Sequence, residues 1–362
     1  MGLFDTLLKE RESLFIDTMP LDVDYTPPLI KFREQEQHQI AACIKPLLQH
    51  RSGKNVLVMG SPGIGKTVAV KAVLEDLQKQ TDEVYTLYVN CWKKDTSYKI
   101  ALDICQQLGF TFVHNRDTSD LFNEIAKILN KKCAVLVLDE VDMLTDQQVF
   151  YHLMEEVYKK TIVMITNDVG WLSTLDSRVK SRLLPEEIDF RTYTATEIKG
   201  ILHERVRYAF VPNVFVEEAF SLVVAKTTEL EDVRVGLRLL REAGEMAEQK
   251  ASRTILPDHV AAILTRFDGV KKKSDGSLTA EENFLLKMVQ QHNGKTAKQL
   301  FDVYSGKGGD KSYSTFHRTL KHLEYGGFLS MKEVSVGNLA KGQKGRTTLV
   351  YHNSEMKKLT DF

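Results

Sequence analysis

The stretch "NVLVMGSPGIGKTVAVKAVLEDL" (residues 55–77) constrains this chain more than any other. It begins with a short unbroken apolar run, the pattern of a strand buried on both faces of a parallel sheet. It ends in the helical stretch "TVAVKAVLEDL". Between them, "GSPGIGKT" (60–67) fits G-x-x-x-x-G-K-[ST] in the strand–loop–helix context the motif requires. Glycines let backbone N–H groups close around a phosphate chain, and the helix N-terminus adds the positive end of its dipole. Gly60, Ser61, Pro62, Gly63, Ile64, Gly65, Lys66, Thr67 and Val68 are therefore the expected binding residues for ATP or ADP. Lys66 is suited to reach the β/γ-phosphates, and Thr67 to ligate Mg2+.

Three more apolar runs follow: "VYTLYVN" (84–90), "AVLVLDE" (134–140) and "TIVMITND" (161–168). Helical stretches such as "LFNEIAKILN" (121–130) separate them, so the spacing predicts an α/β parallel sheet with crossover helices. Within "VLVLDEVD" (135–142) the strand delivers Asp139 and Glu140 to the sheet's C-terminal edge, where such sheets bind ligands. Asp139 is expected to join Thr67 in holding the metal, and Glu140 to polarise the attacking water. Asn167, one strand over, is an uncharged contact for the γ-phosphate or the water; the alternative is a turn cap at Asn167–Asp168.

From about residue 193 to 267 the pattern is all-helical. In "EDVRVGLRLLREAG" (231–244), Val233, Leu237, Leu240 and Gly244 form an apolar stripe, and Arg234, Arg238 and Arg241 a basic one. Arg234, nearest the helix start, is the expected γ-phosphate contact. In "DSRVKSRLLPEE" (176–187), Arg182 is a candidate arginine finger toward a neighbouring subunit, with Arg178 as rival. "KKKSDGS" (271–277) reads as a linker.

Beyond it, "AEENFLLKMVQQH" (280–292) is amphipathic, with Phe284, Leu285, Met288 and Val289 inward. "TAKQLFDVY" (296–304) is a second helix. A third, "SYSTFHRTLKHLEYGGFL" (312–329), has Ser312 as its N-cap candidate and Gly326–Gly327 at its close. Phe316, Leu320 and Leu323 point inward, and Ser314, Arg318 and Lys321 lie opposite. Two strands joined by a Gly/Lys loop complete a winged helix, whose third helix is built to enter a DNA major groove. The formal net charge is zero, but residues 271–362 hold 16 Lys/Arg against 9 Asp/Glu, so the preceding part is acidic by the same margin. A basic end suggests a polyanion partner. Lys341, Lys344 and Arg346, in and beside the loop, suit phosphate contacts, leaving Ser314, Arg318 and Lys321 to read bases. Winged helices also dock proteins, which stays open here.

There is no apolar run long enough for a membrane span. The first residues lack an export signal, and the four cysteines form no CxxC pair. These point to a cytoplasmic chain.

The P-loop, "DEVD", "TND" and a helical-segment arginine, in that order, resemble the AAA+ ATPases. More narrowly, the chain resembles archaeal initiators of the origin-recognition/cell-division-cycle (Orc/Cdc) family. The supporting stretches are "YTPPLIKFREQEQHQI" (25–40), "VNCWKKDTSYKIALDICQQLG" (89–109), "TYTATEIKGILHERV" (192–206) and "LDSRVKSRL" (175–183). The likeness implies an AAA+ core over 1–192 with an initiator-specific insertion at about 91–116. It further implies a helical lid over 193–268, a linker over 269–278 and a winged-helix domain over 279–362. It implies a nucleotide contact at Tyr193 and DNA contacts at Lys93 and Lys94. It also implies a function: nucleoid-associated binding of double-stranded origin DNA, recruitment of the replicative helicase, association with other initiator subunits, and slow ATP hydrolysis as a switch. Alternatives from other classes are a signalling or scaffold NTPase whose winged helix docks protein, and a clamp-loader-like machine. Gly236 sits where the family usually carries a helix former such as Ala. Gly costs about 1 kcal/mol in a helix interior, which predicts a locally loose helix.

Overall fold

The computed structural model describes residues 13–27, 30–111, 113, 115–274, 280–307, 309, 311, 313–325, 328–336 and 345–352. The chain divides into two units, Met1–Leu264 and Thr265–Phe362.

In the first unit, five strands form one parallel sheet in the order β2–β3–β4–β1–β5. They are β1 (Val56–Met59), β2 (Val84–Asn90), β3 (Cys133–Asp139), β4 (Lys160–Ile165) and β5 (Glu186–Asp189). Every residue of β1 and β3 is buried, which is why their sequences are continuous Val/Leu/Ala runs rather than alternating ones. Helices α1 (Glu34–Ile44) and α2 (Lys66–Gln80) cover one face, around Ile40, Ile64, Val70 and Leu74. On the other face lie α3 (Ser97–Gln107), α4 (Thr118–Leu129), α5 (Gln148–Glu156) and α6 (Ser177–Leu183), packed through Ile100, Phe122, Phe150 and Val179.

Four of the strands lie where the apolar runs predict them. The fifth, "EEID", was not read from the sequence. It is short, charged and exposed except at Ile188, so it lacks the buried-strand pattern.

The lid follows as α7 (Ala195–Ala209), α8 (Glu217–Leu230), α9 (Val233–Gln249) and α10 (Pro257–Ser274). Thr194 and Glu197 cap α7 reciprocally. The predicted looseness at Gly236 is not found. A Cβ there would lie 2.6 Å from Thr227 Oγ1 and 2.9 Å from both Leu202 methyls. At Gly236, α7 and α8 press against α9 through Leu202 and Thr227, so the missing side chain permits packing instead of weakening it. Helix α10 runs through Ser274, so it overlaps the expected linker at 269–278. Lys271–Lys273 are good helix formers, and the helix continues through Gly269 with no proline after Pro257 to stop it.

The second unit contains α11 (Ala280–Gln291), α12 (Ala297–Gly306) and α13 (Tyr313–Tyr325), then the antiparallel hairpin β6 (Leu329–Val336) and β7 (Gly345–His352). Thr296 adds an isolated bridge to Leu349, completing the winged helix. Its core holds Leu285, Met288, Val289, Leu300, Phe316, Leu320, Leu323 and Val350. Phe284, expected inward, is 37% exposed and stands at the rim against Tyr304. Phe284, Leu285 and Leu286 are consecutive apolar residues, and one helix face cannot bury all three.

Candidate functional site

The C-terminal ends of β1, β3 and β4 open on one cavity of about 290 Å3, shared by the sheet and the lid. After β1 the loop turns back on Gly60 (φ 139°), Gly63 (φ 75°) and Gly65 (φ 89°). Gly63 is needed twice over: its φ is left-handed, and a Cβ would fall 2.0 Å from Asp232 Oδ1 of the lid. Val233 N donates to Gly63 O at 3.3 Å, so the lid touches the loop directly.

Lys66 opens α2 and is buried. Its Nζ donates to Gly60 O (2.6 Å), Ser61 O (2.8 Å) and Asn167 Oδ1 (2.8 Å). Burial lowers its pKa to about 8 against the pull of Asp139 and Asp142. Pro62, Val68 and Tyr193 also line the cavity. Ser61 joins the site through its carbonyl, and Ile64 lies fully buried behind the loop.

Asp139 ends β3 at 2% exposure. Its Oδ2 accepts from Thr67 Oγ1 (2.8 Å) and Tyr88 Oη (2.6 Å), and its Oδ1 from Glu140 N (3.0 Å). The Thr67 hydroxyl and this carboxylate are hard oxygen donors, a set that suits Mg2+ completed by phosphates and water. Glu140 follows in left-handed backbone (φ 56°), which turns its side chain out of the strand and into the cavity lining. Burial, then Asp139 and Asp142, raise its pKa, with Arg234 and Lys66 pulling the other way. A carboxylate of raised proton affinity is suited to accept a proton from water.

Asn167 is exposed past the end of β4, and Thr166 Oγ1 behind it donates to Asp142 Oδ1 at 2.8 Å. Arg234 reaches the cavity from the first turn of α9, where Asp232 caps the helix and pairs with Arg234 Nη2 at 2.6 Å. Of the rest of that basic stripe, Arg238 pairs with Glu242 in the same helix. Arg241 lies 3.7 Å from Asp22. Arg182 stands outside this cavity on α6, half exposed and 2.5 Å from Glu155. Arg178 is exposed one turn away.

Several side chains at the site escaped the sequence reading. Arg33 bonds to the loop at Ile64 O, Tyr88 to Asp139, and Asp232 to Arg234. Tyr88 had one readable signal, its place two residues before Asn90, whose register partner is Asp139.

The expected DNA contacts are scattered. Arg318 and Lys321 are exposed on α13, opposite Phe316 and Leu320. Ser314 lies in α13 and Arg346 in β7. Their side chains, and Lys341, Lys344 and Ser312 as a whole, lie outside the described residues. In the first unit Lys93 is exposed before α3, and Lys94 sits 3.7 Å from Asp103. Among the described residues, no helix is long and apolar enough to cross a membrane.

Comparison with known proteins places these features in context. Residues 49–166 match the model of an AAA domain, and residues 199–263 that of a Cdc6 AAA+ ATPase-type lid domain. ORC1-type DNA replication protein 2 of Methanosarcina mazei is 30% identical, over 94% of this chain and 93% of that protein. ORC1-type DNA replication protein 1 of Sulfurisphaera tokodaii is 33% identical, over 82% and 79%. Among solved structures, Aeropyrum pernix ORC1 in complex with DNA superposes with a TM-score of 0.69 at 25% identity, covering 95% of this chain and 94% of that one.

Proposed function

The chain belongs to the ORC1-type DNA replication proteins, and on that premise we propose that it is an ATP-controlled binder of double-stranded origin DNA. It marks origins and helps recruit the replicative helicase. The observation that carries this is the single cavity into which the core sends Lys66, Asp139, Glu140 and Asn167, and the lid sends Arg234.

ATP lies along the loop, with Lys66 and the backbone N–H groups on its phosphates. Thr67 and Asp139 would hold Mg2+, which would supply charge neutralisation at the phosphates. Glu140 orients the attacking water and accepts its proton. Asn167 and Arg234 meet the γ-phosphate from opposite sides, so a triphosphate draws core and lid together and a diphosphate does not. Hydrolysis is thereby a slow switch. A lid shift passes along α10, the helix in which the first unit ends and the second begins. Arg182, on the outer surface, is the residue offered to a neighbouring subunit's nucleotide, and other initiator subunits are the proposed neighbours.

In the winged helix, Ser314, Arg318 and Lys321 read bases. Lys341, Lys344 and Arg346, together with Lys93 and Lys94 of the first unit, hold phosphates. Duplex binding by the full chain, titrated with salt in the presence of ATP and then ADP, tests the reading. The expected result is a steep loss of affinity with salt and a difference between the nucleotides. No binding even at low salt would show that the winged helix docks protein. Replacing Lys344 and Arg346 by Ala should weaken binding about equally on all sequences; a changed sequence preference would break the division between reading and holding.

A further inference from the structure

Arg33 is the largest side chain in the fully buried set, at 0% exposure. It lies just ahead of α1 and, besides its neighbours Phe32 and Glu36, bonds to two carbonyls far away in sequence. Its guanidinium is stacked between two rings, 3.9 Å from the Tyr193 centroid and 5.1 Å from that of Phe190. Two of its nitrogens, Nε and Nη2, donate to one acceptor, Ile64 O, at 3.1 and 3.0 Å. Nη2 also donates to Arg191 O at 2.6 Å, and Nη1 to Glu36 Oε1 at 2.9 Å. A buried cation is costly to keep, and an apolar side chain of similar volume would fill the same space more cheaply. What an apolar residue lacks is a fork of donors aimed at main-chain carbonyls.

Ile64 O belongs to the peptide that joins Ile64 to Gly65, in the middle of the phosphate loop. In a trans peptide the C=O and the N–H point in opposite directions. Fixing that carbonyl on the Arg33 side turns the Gly65 N–H the other way, toward the cavity that Gly65, Lys66 and Thr67 line. Gly65 supplies one of the two torsions about this peptide, and with its left-handed φ of 89° it offers little steric resistance to rotation. A carbonyl that accepts from a cation also makes its own N–H a stronger donor. The second carbonyl, on Arg191, lies where β5 hands over to the lid, and the Arg191 side chain pairs with Glu197 in the cap of α7.

We infer that Arg33 is a positioning residue of the nucleotide site: it holds the Ile64–Gly65 peptide with its N–H turned toward the β-phosphate, and ties that peptide to the carbonyl at the entrance of the lid. This rests on the loop's binding a nucleotide diphosphate or triphosphate, as proposed above.

The test uses the full chain with Arg33→Lys, which keeps the charge and loses the planar fork. Fluorescent ADP is titrated well below the unfolding midpoint, then displaced with adenosine, which lacks phosphates. Affinity for ADP should fall about tenfold, the loss of one charge-assisted hydrogen bond, while displacement by adenosine stays within about twofold. If Arg33→Lys does not fold, Glu36→Ala replaces it. That change frees Nη1 without touching Ile64, and ADP affinity should fall about threefold. Unchanged ADP affinity in the folded variant, or equal losses for ADP and adenosine, would overturn the inference and leave Arg33 a core-filling group. A wild-type chain that binds no ADP would instead overturn the functional reading itself.

Discussion

On the core side of the cavity, Lys66, Asp139 and Asn167 stand at the ends of buried strands or at the loop, and bond mainly to the loop and to each other. On the lid side, Asp232, Arg234 and Tyr193 arrive from a helix tip and a hinge, and depend on elements distant in sequence to stay there. The core wall stands on strand ends and the phosphate loop, the lid wall on a helix cap and on bonds made across the chain, such as Val233 N to Gly63 O. The switch proposed above assigns the chemistry to the first wall and the response to a third phosphate to the second.

Substitutions can break this contrast, starting with the core. Glu140→Gln should leave ATP affinity intact and cut turnover by about 10²–10⁴-fold, the range for losing a general base; unchanged hydrolysis would remove Glu140 from its role. On the lid, Arg234→Ala should lower the preference for ATP over ADP by about tenfold, the worth of a charge-assisted contact to one phosphate. Comparing the two affinities in one variant checks it, and equal losses for both nucleotides would place Arg234 away from the γ-phosphate.

Two smaller effects concern how the lid is held. Gly236→Ala forces a methyl into the junction of α7, α8 and α9, and should cost about 1–3 kcal/mol in denaturant unfolding. A stabilised variant would mean that the helices there are free to part. Glu197 has the mildest expected effect. The Arg191 hydrogen bond, followed by the Thr194 N–H and hydroxyl, holds its pKa down to about 2 from 4.5. A lowered carboxylate pKa stabilises the fold above pH 4.5, and that contribution is lost as the pH falls toward 2. Glu197→Gln should therefore be less stable by about 1 kcal/mol near neutral pH, with the gap closing in acid. A constant gap at all pH values would show that the ion pair contributes nothing.

The core wall was legible in the sequence, and much of the lid wall was not. Buried parallel strands advertise themselves as unbroken apolar runs, and the phosphate loop must spell out its glycines. Asp139, Glu140 and Asn167 could be found because each follows such a run. Arg234 was found by its place at the start of a striped helix. Arg33 had no such signal: the carbonyls its fork joins, Ile64 O and Arg191 O, lie 31 and 158 residues away, and no local period encodes them. Gly236 was misread for the same reason, since its meaning lies in Leu202 and Thr227 on other helices. Strand β5 was missed because its charges hide it.

Those charges have their own consequence. As the last strand in the order, β5 leaves one edge unpaired by the sheet, and it exposes Glu186, Glu187 and Asp189. Edge strands are templates on which a second copy can add its own sheet. Glu186 is paired with Lys54 at 3.1 Å, but Glu187 and Asp189 leave the edge acidic and make that meeting self-repelling. The exposed carboxylates of β5 therefore work against a second copy adding its own sheet along this edge.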